Sequence, residues 1–325
     1  MTWMALSSTA SSAKSSDHDR PALTDYLPML ATAWPEAFDD EEWWFEVKWD
    51  GYRCIASTKS GITTLRSRRG LDLKGRFPAV AALELPPGWV LDGEVVVFDE
   101  SGRSDFSLLQ AGGSPTYVVF DVLESPAGPV IDRPLEERWR LLGAMGLPAK
   151  VVINDPIAGE GTALFAAVKE RGLEGMVGKR SASLYTPGRR SPEWRKIAYR
   201  RRVKAVVGGW LPGEGGRAGS FGSLLVGLWD VGGLRWVGAV GSGFSDIQLG
   251  PVRQALENLE VPGPPFTNTT GIPRGARWIE PGIVIEVEFK EWTRDSRLRA
   301  PAFKGIAAVP VDEVTWESEG PDQRV

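Results

Sequence analysis

At 325 residues, 42% of them hydrophobic and 25% charged, with a formal net charge of −4, the chain is long enough for about two domains that each bury a core. One cysteine, Cys54, excludes an internal disulfide, and one histidine, His18, excludes a His/Cys zinc site and a histidine-based triad. Any chemistry therefore falls to Lys, Arg, Asp, Glu and hydroxyl side chains.

The Ser-rich opening, MTWMALSSTASSAKSSDHDR, reads as a disordered tail over residues 1–22, with a second short tail at 319–325. No apolar run approaches the ~20 residues of a membrane-spanning helix, so the expectation is a soluble, cytoplasmic protein with no membrane partner. From about Trp44 to Val97 the pattern is strand-like: WFEVKW, YRCIAST, ITTLRS and WVLDGEVVVF, separated by polar or Gly-rich turns. A further apolar run, TYVVFDVL, ends at Leu123. Apolar residues then recur at helical spacing over Leu135 to Leu142 and Ala163 to Glu170, and short strands follow at GMVGK and WRKIA. The mixture predicts an α+β domain over residues 23–202 rather than a regular parallel βαβ array. Beyond Arg202 the segments VKAVVGGWL, GSLLVGLWD, LRWVGAVG and IVIEVEFKEW alternate with Gly-rich turns and one helix near Ile247 to Leu259. That economy predicts a small β-barrel over 203–318, the oligonucleotide-binding (OB) fold being one option.

Charge is unevenly spread. From Pro187 to Lys204 the chain carries Arg189, Arg190, Arg195, Lys196, Arg200, Arg201, Arg202 and Lys204 against Glu193 alone. A basic stripe can bind phosphates on an acidic protein because salt limits each field to roughly 8 Å; a solvated loop would look the same.

Lys48, in EVKWDGYR, is the residue that bears most directly on chemistry. Strand alternation would place Glu46, Lys48 and Asp50 on one face and Val47 and Trp49 on the other. Such a polar face is ordinarily solvated surface, but a lysine flanked by cations and partly buried becomes a nucleophile. Acidic sites at Asp92, Glu94 and Glu174, with cations at Lys179 and Lys196, would supply metal ligands and phosphate clamps. Together they fit nucleotidyl transfer.

In order and spacing, EVKWDGYR, SRRG, LDGEVVVFDESGRSDFSLLQ, YVVFDVL, GLEGMVGKR, SPEWRKI and VVGGWLPGEGGRAGSFGSLLVG resemble the ATP-dependent DNA ligases. The similarity is greatest to the compact bacterial type, including the ligase module of bacterial end-joining proteins, and runs from about Leu27 to Glu317. It implies an adenylation (nucleotidyltransferase) domain followed by an OB-fold domain, using ATP and Mg²⁺ or Mn²⁺. By this resemblance Lys48 would attack the α-phosphate of ATP to give lysyl-AMP, Asp50 and Arg53 would contact the ribose side, and Arg68 would grip the 5′-phosphate of a nick. Glu94 and Glu174 match carboxylates associated with the metal and the ribose, Phe120 the aromatic that stacks on adenine, and Glu46 the residue that reads its exocyclic amine. Lys179 and Lys196 match lysines that neutralise phosphate charge. On composition alone Phe120 would be core. Nicked or broken duplex DNA and DNA-repair proteins are the implied partners, acting with a monomer. RNA ligases and capping enzymes share Lys-x-Asp-Gly, and a nick-binding protein with decayed chemistry is the reading of another class.

Two departures from the family pattern favour that last reading in part. Ala198 stands where W-x-K-x-K has its second lysine, and Ala307, Ala308 and Val309 stand where an Arg-x-Asp-Lys element normally orients pyrophosphate. Arg200, Arg201 and Arg202 near the first gap, and Arg297, Arg299 and Lys304 near the second, are the candidates to make up the charge. Loss of charge aimed at pyrophosphate should slow self-adenylation more than sealing, since only the first step expels it.

Overall fold

A computed structural model describes residues 26–321; the Ser-rich opening with His18 and the last four residues lie outside them. The chain divides into two compact units, one through Ile197 and one from Ala198.

The first unit contains β1 (Leu30–Ala33), β2 (Asp40–Val47), β3 (Tyr52–Ser57), β4 (Thr64–Ser67), α1 (Pro78–Ala81), β5 (Val90–Val96), α2 (Phe106–Gln110) and β6 (Thr116–Ser125). It continues through β7 (Gly128–Pro129), α3 (Leu135–Gly143), β8 (Val151–Ile153), β9 (Ile157–Gly159), α4 (Gly161–Glu170), β10 (Gly175–Arg180) and β11 (Arg190–Ala198). Two sheets result, ordered β1-β11-β10-β2-β9 and β4-β3-β5-β6-β7 with β8 beside β6. β1 pairs parallel with β11 and β8 parallel with β6, while β2 pairs antiparallel with β9 and β10, and β3, β4, β5, β6 and β7 pair antiparallel with their neighbours, the mixture expected of an α+β unit. The apolar runs explain the choice of strand. Val dominates the apolar positions of β5 and β6, with Leu, Tyr and Phe beside it, and their interiors are buried on both faces.

The helix α3 carries an exception to its own stripe. Leu135, Arg138 and Leu142 share the buried face, so a guanidinium sits where an apolar side chain belongs. Arg138 reaches both oxygens of Asp121 on β6 at 2.7 and 2.8 Å and donates further to the carbonyls of Arg133 and Ser183.

The second unit contains β12 (Arg201–Pro212), β13 (Phe221–Asp230), β14 (Gly233–Val240), α5 (Asp246–Glu257), β15 (Glu260–Val261), β16 (Arg277–Phe289), β17 (Ala302–Ile306) and α6 (Trp316–Glu319). Its sheet runs β14-β13-β12-β16-β15, with β17 also on β16. A bridge between Ser242 and Ala302 brings the β14 edge to β17, and one core of Val, Leu, Trp and Phe side chains fills the interior. Among the described residues, no helix is long and apolar enough to cross a membrane.

Arg138→Leu should leave the Asp121 carboxylate buried without its cation and cost about 3–5 kcal/mol in urea denaturation. Arg140→Leu, two positions along the same helix at an exposed pair with Glu136, should change stability by no more than ~0.5 kcal/mol.

Candidate functional site

The strand carrying Lys48 ends one residue before it, and this corrects the alternation expected from sequence. β2 stops at Val47, and Lys48 is still tied to the sheet by its backbone N–H, which donates to the Gly175 carbonyl at 2.9 Å. The chain then turns, so Val47 and Trp49 line the same cleft as Glu46 and Lys48, whereas Asp50 is not among its lining residues. Asp50 is anchored through its backbone N–H, which donates to Ser104 Oγ at 3.0 Å. The glycine after it answers to a close approach: a Cβ on Gly51 would sit 2.2 Å from the Val95 carbonyl oxygen. Gly93, between Asp92 and Glu94, is held to the same requirement by the Val118 carbonyl at 2.5 Å.

Lys48 Nζ donates to Glu174 Oε2 at 2.6 Å, with both side chains partly exposed at the cleft. Glu174 lies on the turn between α4 and β10, so the pair joins two neighbouring strands of one sheet at their ends. Deeper in, Lys179 and Glu46 form an ion pair at 2.8 Å, and each is only 2% exposed. Burial pushes the Glu46 carboxyl up to about 7 against the opposing pull of Lys179. Lys179 Nζ also donates to the Phe120 carbonyl at 3.0 Å and lies 4.6 and 4.5 Å from the rings of Phe120 and Trp194. Phe120 is therefore both core, at 7% exposure, and part of the cleft wall.

Arg53 crosses from β3 to Asp92 on β5 with two hydrogen bonds of 2.6 Å, and its guanidinium lies 4.4 Å from the Phe120 ring centre. Burial works to lower its pKa, but the Asp92 charge outweighs it and the guanidinium is held more firmly protonated than usual. Tyr185 donates to the same Asp92 at 2.6 Å and accepts from the Met29 backbone N–H, closing the support around Arg53. Glu94, two residues along β5, lines the cleft; burial raises its pKa to about 8, with Arg53 and Lys48 pulling it down and Glu174 pushing it up.

Lys196 on β11 and Arg68 after β4 complete the cationic side, together with Arg190. The Lys196 pKa is lowered by its burial first and then by Arg190, Lys48 and Arg68, so four cations act on one another across the cleft. The basic stripe is thus not one surface. Arg190 and Lys196 line the cleft, while Arg195 lies against the rings of Trp34 and Trp43 at 3.9 and 4.1 Å. Arg202 and Lys204, in the second unit, pair with Glu288 and Glu319 at 3.8 and 4.0 Å.

Nine of the ten residues matched to family roles line or touch this cleft, and Asp50 is not among its lining residues. Arg190 is expected from sequence only as one of the basic stripe, and Asn154, Trp194 and Tyr185 are not expected at the site at all. Their partners lie far away in sequence, and each belongs to a residue type with an ordinary structural use. A raised Glu94 pKa means that the folded chain holds the proton more tightly than the unfolded one. Stability should therefore fall as pH rises from the usual carboxylate range through about 8. Glu94→Gln should flatten that decline in urea melts taken across this window, and an equally steep decline would show that Glu94 is not its source.

Two family models match the chain: the ATP dependent DNA ligase domain over residues 28–198 and the ATP dependent DNA ligase C terminal region over 217–308. The multifunctional non-homologous end joining protein LigD of Mycolicibacterium smegmatis is 36% identical over 305 residues, spanning 90% of this chain and 40% of that protein. The SPbeta prophage-derived DNA ligase-like protein LigB of Bacillus subtilis is 32% identical over 191 residues, 56% of this chain and 71% of its own. Among solved structures, the ligase domain of Mycobacterium tuberculosis LigD is 31% identical, covering 93% of this chain and all of that one, with a TM-score of 0.53. A mycobacterial DNA ligase D complexed with ATP and MES matches at the same identity and TM-score over 90% of this chain and 99% of its own. The present chain spans about two fifths of the LigD proteins it resembles. With a nucleotidyltransferase unit followed by an OB-fold unit, and with both family models matched in order, the chain belongs to the ATP-dependent DNA ligase family.

Proposed function

We propose that this chain seals breaks in duplex DNA through an adenylate on Lys48. The carrying observation is the Lys48 amine, held 2.6 Å from Glu174 at the edge of a cleft walled by Arg68, Arg190 and Lys196. The amine nitrogen attacks the α-phosphorus of ATP, the bond to the bridging oxygen breaks, and pyrophosphate leaves with the electron pair. AMP then passes to the 5′-phosphate of the break, and the 3′-hydroxyl displaces it to form the phosphodiester. Glu46 and Phe120 face the base, Arg53, braced by Asp92, faces the ribose, and Lys196 and Arg68 meet phosphate charge, an electrostatic role that dominates such transfers; Lys179, matched to the same role from sequence, is instead buried against Glu46 and the Phe120 carbonyl.

Glu94 and Glu174 are the residues that would hold Mg²⁺ or Mn²⁺. Their oxygens suit a hard cation, and burial, which raises the Glu94 pKa to about 8, disfavours its carboxylate by an amount that a bound cation would offset. Among the described residues no group of three or more His, Cys, Asp and Glu gathers at one point, so the nucleotide phosphates would complete the shell. Bound there, the ion would neutralise charge on the phosphates.

A slow first step is favoured by the second unit. Arg297 donates to the Trp236 carbonyl and stacks 4.0 Å from its ring, Arg299 pairs with Glu291 at 2.5 Å, and Lys304 pairs with Glu288 at 3.3 Å. The cations nearest Ala307, Ala308 and Val309 are thus already engaged. Ala198, exposed at the end of β11, offers no charge either. Sealing of a pre-adenylated nick should therefore run at least ~10-fold faster than sealing of an ordinary nick supplied with ATP. Lys48→Ala should abolish the second reaction and spare much of the first. Equal rates on the two substrates would contradict the slow first step, and ATP-driven sealing by Lys48→Ala would contradict the adenylate on Lys48.

A further inference from the structure

Asn154 lines the cleft from the residue after β8 and is 7% exposed. Its backbone N–H donates to the Val119 carbonyl at 2.8 Å, which fixes it to β6. Its side chain is fixed as firmly. Trp49 Nε1 donates to Asn154 Oδ1 at 2.9 Å, and because an indole N–H can only donate, the amide oxygen must face it. The amide nitrogen then points the other way, donating to the Val47 carbonyl at 3.0 Å and to Glu46 Oε2 at 3.1 Å. Glu46 Oε1 accepts from Lys179 Nζ.

Both amide hydrogens of Asn154 are used, so it offers a ligand no donor. In the ionised form that Lys179 and the Asn154 hydrogen bond both favour, Glu46, fed by one donor on each oxygen, keeps acceptor capacity on both and has no hydrogen to give. A purine with an amino group against this edge completes the pairing. A purine with an oxo group there sets acceptor against acceptor and leaves buried groups unpaired, which is the costly case for a polar site.

We infer that Asn154 is a positioning residue that, by holding Glu46 as an acceptor edge, sets a preference for 6-amino over 6-oxo purine nucleoside triphosphates. This rests on the nucleotide reading of the cleft proposed above. The probes are ATP and inosine triphosphate, which differ at the 6 position in the required sense. Adenylate or inosinate formation on Lys48 is followed in the intact chain, in Asn154→Asp, which keeps an acceptor for Trp49 but loses the donor to Glu46, and in Asn154→Leu, which loses both. The unsubstituted chain should favour ATP. Each variant should lower the ATP to inosine triphosphate ratio of kcat/KM about 10-fold, mainly through a higher KM for ATP, the scale of one hydrogen bond to a charged group. A protein that is merely loosened loses both substrates in proportion and keeps the ratio. An unchanged ratio in Asn154→Asp, with Lys48 still labelled, would overturn this assignment alone. No nucleotidyl label on Lys48 of the unsubstituted chain would overturn the underlying reading as well.

Discussion

The first unit is organised around the ammonium of Lys179. It enters from β10, pairs with Glu46 on β2 in the same sheet, and donates to the carbonyl of Phe120, which belongs to the other sheet. Taking an ammonium and a carboxylate out of water costs several kcal/mol per ion, so this position is tolerable only with near-complete compensation. Two hydrogen bonds and two ring faces, those of Phe120 and Trp194, supply it. The arrangement fixes the distance between the sheets, places Phe120 as a wall, and holds Glu46 for whatever enters from the open side. A lysine satisfied by structure alone would not need to lie beside an accessible cleft, and that coincidence links the fold to the nucleotide chemistry.

Much of this was legible in the chain itself. The long strands and the two longer helices of the first unit follow from apolar periodicity, because strong periodic burial leaves little choice of element. The motif residues converge because the segments that carry them become neighbouring strands, β2, β10 and β11 in one sheet and β3, β5 and β6 in the other. What could not be read was the direction of individual side chains near those ends. The alternation of Glu46, Lys48 and Asp50 fails because β2 ends at Val47, so Trp49 enters the cleft and Asp50 leaves it. Short strands such as β1, β8 and β9 carry too few residues to show a period, yet β8 leads directly to Asn154. Arg138 and Asp121 illustrate the same limit: a charge within an apolar stripe reads as an interruption until its partner on β6 is placed beside it.

Both departures from the family pattern lie where neighbouring cations have partners of their own. Cations are plentiful in the chain, but most near the gaps are already bound. Arg195 is taken by tryptophan rings, and Arg297, Arg299 and Lys304 by carbonyl or carboxylate partners within the second unit. By contrast Lys196, Arg68 and Arg190 face the cleft together with Lys48, and their mutual repulsion is the electrostatic condition that an incoming triphosphate relieves. The cations that line the cleft thus all belong to the first unit, while Ala307, Ala308 and Val309 stand in the second where the family pattern carries charge.

The central claim is that Lys48 is the residue that carries the nucleotide. Peptide mapping by mass spectrometry after incubation with ATP and magnesium addresses it most directly. The account predicts an AMP increment on the peptide containing Lys48, labile in acid as a phosphoramidate is, and lost when DNA with a nick is added. An increment on Lys179 or Lys196 instead, or nick sealing from ATP with Lys48 never modified, would contradict it.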